Sequence, residues 1–178
     1  MRRNWLAGAA AAAAITIPVT ALSGTALGGT AQAATVSQQM AATTKVRVLQ
    51  RVVAFNQSAA AVARRLVGDP YVYGGSTPAG FDCSGLAQYV YRHAGHGRSI
   101  QRTAEAQYLQ FRRIARSAAK PGDLVFFHDT SSPSSYVYHV GVFEGGVDMV
   151  AATTPAGGVK FQSFTWGGNT VTFGTITH

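Results

Sequence analysis

Cys83 is the only cysteine among 178 residues, so it has no internal partner for a disulfide. Its neighbours must decide whether it is a small buried hydrophobe or a nucleophile. It follows the turn Gly80-Phe81-Asp82 and precedes Leu86, Val90 and Ala94, whose four-residue spacing marks one face of a helix. A thiol in the first turn of a helix meets the positive end of the dipole, which favours thiolate. Free backbone N–H groups beside it can hold an oxyanion. Asp82 is placed to cap this helix, and Gly85 lets another backbone approach closely.

Amide hydrolysis also requires a base within reach of the thiol. The chain offers five histidines. His93 and His96 lie toward the far end of the cysteine's own helix, roughly 15 Å or more away at 1.5 Å per residue, and His178 is the last residue. His128 ends an apolar run beside a polar loop, whereas His139 begins one, His139-Val140-Gly141-Val142. A strand backbone would hold that imidazole, which could take the thiol proton and return it to a leaving amine. Position favours His139 over His128; a purely structural histidine is the other reading of it.

Helices come first in the elements that must position these groups. Lys45–Phe55 carries Val46, Leu49 and Val53 at helical spacing, although Val46 and Val48 also alternate as in a strand. Ser58–Val67 is an alanine-rich helix stopped by Gly68 and Pro70. Tyr71–Gly75 reads as a short extended piece, Thr77–Gly80 as loop, and Thr103–Phe111 as a further helix capped by Thr103. The second half turns β-rich: 124–127, 139–143, 149–152, 159–161 and 171–173, with Gly145-Gly146 as a tight hairpin and 131–135 as a surface loop. Helices followed by an antiparallel sheet make an α+β domain.

Four ordered motifs then carry a resemblance. Tyr71-Val72-Tyr73-Gly74-Gly75, Gly80-Phe81-Asp82-Cys83-Ser84-Gly85-Leu86, Lys120-Pro121-Gly122-Asp123-Leu124-Val125-Phe126-Phe127 and His139-Val140-Gly141-Val142 resemble the NlpC/P60 family, from about Ser58 to the C-terminus. Arg102-Thr103 is similar to the family's Arg-Thr pair. The resemblance implies a compact papain-like fold and a cysteine peptidase cleaving peptidoglycan stem peptides, most often between γ-D-glutamate and a diamino acid. Cys83 would be the nucleophile and His139 the base, with no cofactor or metal. Tyr71, Asp82 and Ser84 match positions that bind substrate; packing, capping and helix bonding are their alternative roles. Pro121-Gly122-Asp123 is given only the turn into a core strand. One departure stands out: Ala151 occupies the place of the family's polar third residue, usually histidine, and offers nothing to orient the imidazole. A dyad with another orienter, a substitute such as Thr153 or another nearby polar group, and an inactive wall-binding module all follow from it. An amidase, an acyltransferase or a hydrolase aimed at a competitor's wall is a further alternative on the same fold.

The N-terminus reads as targeting sequence. Arg2-Arg3, an alanine-rich apolar stretch from Trp5 to about Leu22, and Ala31-Gln32-Ala33 predict a signal peptide over 1–33. The stretch is too weakly apolar to continue a membrane span of roughly 20 residues. The twin arginines leave the export route open. Residues 34–57 are expected to be an extension or linker, flexible over 34–44, ahead of a catalytic domain at 58–178. Removing 1–33 takes two of the 15 basic residues and none of the seven acidic ones, leaving a formal charge of +6. That surplus suits a secreted protein working on an anionic cell wall, or simply solubility. The arginines are dispersed and no nucleic-acid-binding motif accompanies them, which argues against nucleic acid. A monomer is expected.

Overall fold

The computed structural model describes residues 29–129, 132, 135–154, 157–165 and 168–176. The apolar part of the expected signal peptide, most of the 131–135 loop and His178 lie outside them. The chain divides into two units, 1–39 and 40–178; the described part of the first is the opening of a helix.

That helix, α1 (Gly29–Arg65), is unbroken. The irregular chain expected over 34–44 is therefore helical, and the two expected helical segments on either side of Asn56 and Gln57 are one. Among its described side chains only those of the last part are packed: Phe55, Ala59, Val62 and Ala63, with Leu66 just past its end, are buried at i, i+4, i+7, i+8 and i+11, one face of a helix. The packed stretch thus begins at Phe55, three residues ahead of the expected domain start. Gly68, at φ +105°, ends the turn beyond the helix.

The small hairpin β1 (Ser76–Thr77) and β2 (Gly80–Phe81) leads into α2 (Cys83–His93). The sequence pattern marks Thr77–Gly80 only as loop, because two-residue strands are too short to show a period. Helix α3 (Ala104–Gln110) has Thr103 as its cap, the hydroxyl accepting from the Ala106 N–H at 3.2 Å. A six-stranded sheet follows in the order β3-β8-β4-β5-β6-β7. Its strands are β3 (Arg112–Ile114), β4 (Leu124–His128), β5 (Val137–Gly145), β6 (Asp148–Thr153), β7 (Gly158–Ser163) and β8 (Val171–Thr175), every pair antiparallel. The α+β expectation holds, and a tight hairpin joins β5 to β6 as expected, its turn being Gly146-Val147, one residue later than Gly145-Gly146, because Gly145 still pairs with Asp148. Strand β3 is the addition; its Arg-Arg-Ile run has no apolar alternation to reveal it.

The sheet is buried on both faces. Leu124 and Phe126 of β4 join the core under the helices, with Leu86, Val90, Tyr91 and Phe111. Val125 and Phe127 join a second core on the far face, with Phe143, Met149, Ala151, Phe164 and Phe173. A strand with two dry faces explains the continuous apolar run in its sequence. Burying one side chain of the size of Leu86 stabilises by about 2 kcal/mol.

Two bonds fix α2 and α1 to the sheet. Buried Tyr91 donates its hydroxyl to the Gly122 carbonyl at 2.7 Å. Asn56 donates to the Asp123 carboxylate at 2.9 Å, and the Lys120 N–H donates to its other oxygen at 2.8 Å. Pro121-Gly122-Asp123 therefore makes the turn into β4, as its sequence indicates. Gly122 is required there: its φ is +98°, and a Cβ would overlap the Asn56 carbonyl.

Candidate active site

Helix α2 starts at Cys83 because Asp82 turns the chain. Its backbone is extended, and Oδ1 accepts the Gly85 N–H at 2.6 Å, satisfying an orphan donor of the first turn. The same oxygen accepts from Ser84 Oγ at 3.2 Å and Arg102 Nη1 at 3.0 Å. Oδ2 accepts from the Gly74 N–H at 3.0 Å and Arg102 Nη2 at 2.6 Å. Burial works against the charged form of Asp82, but the Arg102 hydrogen bond, the Gly85 N–H, the Arg102 charge and Ser84 outweigh it, holding the carboxyl below its ordinary value. Gly85 is needed for closeness, since a Cβ would overlap the Gly75 carbonyl oxygen. The turn before the nucleophile is thus locked to both the 74–75 loop and Arg102.

Cys83 is half-buried. Burial pushes its thiol pKa up and the Asp82 charge adds to that. The N–H groups of Val140, Ser84 and Cys83 itself pull the other way. Val140 follows His139 directly, so the sulfur sits against the start of β5, across from its own helix.

Cys83 and His139 line one cavity of about 300 Å³, together with Tyr71, Phe127, Thr153 and Gln162 among others. Cys83 and His139, 56 positions apart in the sequence, are brought to a common, solvent-reached space. Tyr71 joins them because a parallel bridge to Phe81 carries it to the mouth of α2. Burial raises its phenol, and the nearby Cys83 and Asp82 raise it further. Asp82 and Ser84 are not in the cavity wall: both are buried, at 9% and 6% exposure, with the bonds given above. They flank Cys83 in the chain and are joined to each other and to Arg102 beside it.

The other histidines have separate roles. His128 is buried, its Nδ1 donating to the Ser135 carbonyl at 2.9 Å and its Nε2 accepting from Thr172 Oγ1 at 2.9 Å; both nitrogens are engaged in structure. His93 stacks on Tyr89 and bonds its carbonyl at 2.8 Å. His96 lines a different, larger cavity of about 580 Å³ beside α1, with Arg51 and Arg98 and no nucleophile.

His139 itself is held by rings. It pairs across the ladder with Phe127, their ring centroids 5.2 Å apart at 64°, and Tyr138 stacks alongside at 6.3 Å. Burial in these surroundings lowers its pKa to about 4, so the imidazole is neutral and able to accept a proton at neutral pH. Its Nε2 is buried with no hydrogen-bond partner among the described residues. Ala151, at 0% exposure, is part of the apolar core on that face. The departure read from the sequence therefore has a physical counterpart in an orphan nitrogen.

Sequence reasoning gave no role to Arg102, beyond its place in the Arg-Thr pair, and none to Gln162 or Tyr138. Arg102 leaves little local signal, because its partner is 20 positions away. Gln162 interrupts a strand at a position opposite Met149, and polarity opposite a core residue was the available clue.

Comparison with known proteins agrees with this geometry. A model described as the NlpC/P60 family matches residues 68–174. The chain is 42% identical over 119 residues to the probable endopeptidase p60 of Listeria monocytogenes, covering 65% of this chain and 23% of that protein. It is 41% identical over 92 residues to the gamma-DL-glutamyl hydrolase of Bacillus subtilis, covering 51% and 22%. The crystal structure of the NlpC/p60 domain of the peptidoglycan hydrolase SagA matches with a TM-score of 0.59 and 35% identity, over 67% of this chain and 98% of that one. The match spans less than a quarter of the length of the two curated relatives.

Proposed function

Because the chain belongs to the NlpC/P60 family of peptidoglycan hydrolases, we propose that it is an exported cysteine endopeptidase cleaving stem peptides at the bond between γ-D-glutamate and a diamino acid. The observation that carries this is the shared cavity of Cys83, at the N-terminus of α2, and His139, at the start of β5. The gamma-DL-glutamyl and endopeptidase activities named for its relatives supply the bond. A surplus of basic residues suits work at an anionic wall.

Both groups rest neutral, so the thiol proton moves to His139 as sulfur attacks the carbonyl carbon. The tetrahedral oxyanion forms where the Cys83 and Ser84 N–H groups already face the sulfur. The imidazolium gives its proton to the departing amine, and water then hydrolyses the thioester with His139 again as base. Tyr71 meets the peptide at the cavity wall. Asp82 and Ser84, locked to Arg102, fix the turn that aims the sulfur.

Mass spectrometry of muropeptides incubated with the protein tests this. The expected products end in γ-D-glutamate on one side and begin with a free diamino acid on the other, and Cys83→Ala yields none. Equal degradation by that variant removes Cys83 as nucleophile.

Ala151 and the orphan Nε2 favour a second reading, a module that binds wall without cutting it. Retention on insoluble peptidoglycan with no product from the unaltered protein would select it.

A further inference from the structure

The Cys–His mechanism leaves one requirement unmet. For His139 to take a proton from sulfur on one ring nitrogen, the other must carry hydrogen, and that N–H needs an acceptor to fix the tautomer and steady the cation. The buried Nε2 has no partner among the described residues, and position 151 supplies only a methyl group.

Among the described residues, five polar, non-titratable side chains line the cavity: Thr153, Thr154, Gln162, Ser163 and Asn169. Ser163 Oγ bonds Thr165 Oγ1 at 2.7 Å and accepts the Thr165 N–H at 3.2 Å, and Thr154 lies beyond the end of β6. Asn169 is half-buried, and its Oδ1 already accepts from the Tyr138 hydroxyl at 3.0 Å. Thr153 is the last residue of β6, opposite Gly158 on β7, while the pairs of β6 with β5 run only from Asp148 to Val150. Gln162 is different. It lies opposite Met149 on β7, and directly opposed residues share a face of the sheet. Met149 and Ala151 belong to one core with Phe127, the residue paired with His139. Gln162 Nε2 points at the Ala151 carbonyl at 3.5 Å, which brings the carboxamide to the residue that lacks a polar group. The amide's chemistry then fits: with its NH₂ directed at a carbonyl, its Oε1 is the atom left to accept.

We propose that Gln162, reaching over from β7, is the positioning residue for His139, its carboxamide oxygen accepting the Nε2–H in place of a side chain at position 151. The inference rests on the hydrolase reading for its kinetic consequence but not for its structural one. A long side chain on the next strand replaces a shorter reach from β6, and the small Ala151 leaves room for it. Gln162 touches no reacting atom; it acts through the imidazole. The other titratable groups sharing the cavity are Cys83, Tyr71 and Tyr138, and none of them bonds the His139 Nε2.

The test uses the full chain and two readouts. Nitrogen-resolved NMR of His139 should show the Nε2–H tautomer with a slowly exchanging proton in the unaltered protein. In Gln162→Met, which keeps length and loses the acceptor, that proton should exchange at least tenfold faster. On muropeptides the same variant should lose about tenfold in kcat with KM within twofold, and Gln162→Glu should retain activity. Ala151→His added to the Gln162→Met variant should restore more activity than it adds to the parent. An unchanged His139 signal and kcat in Gln162→Met, or the same losses produced by Thr153→Val instead, would overturn the assignment. If the parent shows no hydrolysis, the NMR result still decides the positioning role, and the enzymatic reading alone fails.

Discussion

The two halves of the candidate site are built to different standards. On the α2 side, the Asp82 carboxylate accepts from the Gly85 and Gly74 N–H groups, the Ser84 hydroxyl and both terminal nitrogens of Arg102, so the turn before Cys83 is over-determined. On the β5 side, His139 is held by ring contacts and its Nε2 has no partner among the described residues. Hydrogen bonds fix direction, whereas apolar contacts fix only place. The Cys83 turn is therefore fixed in direction by the fold, whereas the imidazole is fixed in place and relies on the proposed Gln162 acceptor for its direction. Any loss of catalytic power in this chain should trace to the imidazole.

The largest effect should come from breaking the aimed half at its tip. Cys83→Ala is expected to lower the hydrolysis rate by about 10³-fold or more, with the thermal midpoint nearly unchanged, as read by product formation and calorimetry side by side. Next is repair of the loose half. Ala151→His should raise kcat by no more than about threefold, because Gln162 already supplies an acceptor; a gain of about tenfold or more would mean that His139 lacks an orienting group in the parent.

The pH profile sharpens the same contrast. The base must be neutral, so kcat/KM should fall as pH drops through about 4 rather than near the ordinary histidine value. Ala151→His should move that limb upward, because an acceptor for Nε2–H favours the protonated ring. A smaller effect is expected from Arg102→Met, which strips two donors from Asp82. The expected loss is about 1–2 kcal/mol, kept to the lower part of the range because Arg102 is partly in water. Asp82 is held below its ordinary carboxyl value, so its stabilisation is present above that value and fades as pH falls through the lowered one. The gap between parent and variant in urea unfolding should therefore narrow in acid. The smallest effect belongs to Leu49→Ser on exposed α1, within about 0.5 kcal/mol.

Much of the aimed half was legible along the chain. Cys83, its Asp82 cap, the close approach at Gly85 and the helical face of Leu86 and Val90 are neighbours in sequence, and short-range geometry has short-range signals. His139 could be chosen over His128 only by position; hydrogen bonding in the fold favours the same choice, since His128 spends both nitrogens on Ser135 and Thr172. The fused helix α1 escaped detection because residues 34–44 carry no apolar stripe, and its exposed turns need none. For Asp82 and Ser84, named as substrate-binding positions, the structure shows the cap at Asp82 and adds the Arg102 pair, which no local pattern carries.

By itself, the sequence determined the α+β order of elements, the nucleophile and the absence of a polar group at position 151, since each depends on residue type and local period. Only the tertiary structure decided which histidine shares a cavity with Cys83, that Arg102 anchors the Asp82 turn, and that Gln162 of β7 lines the same cavity. Those outcomes depend on sheet register and on contacts between residues 20 to 56 positions apart, and no local pattern encodes them.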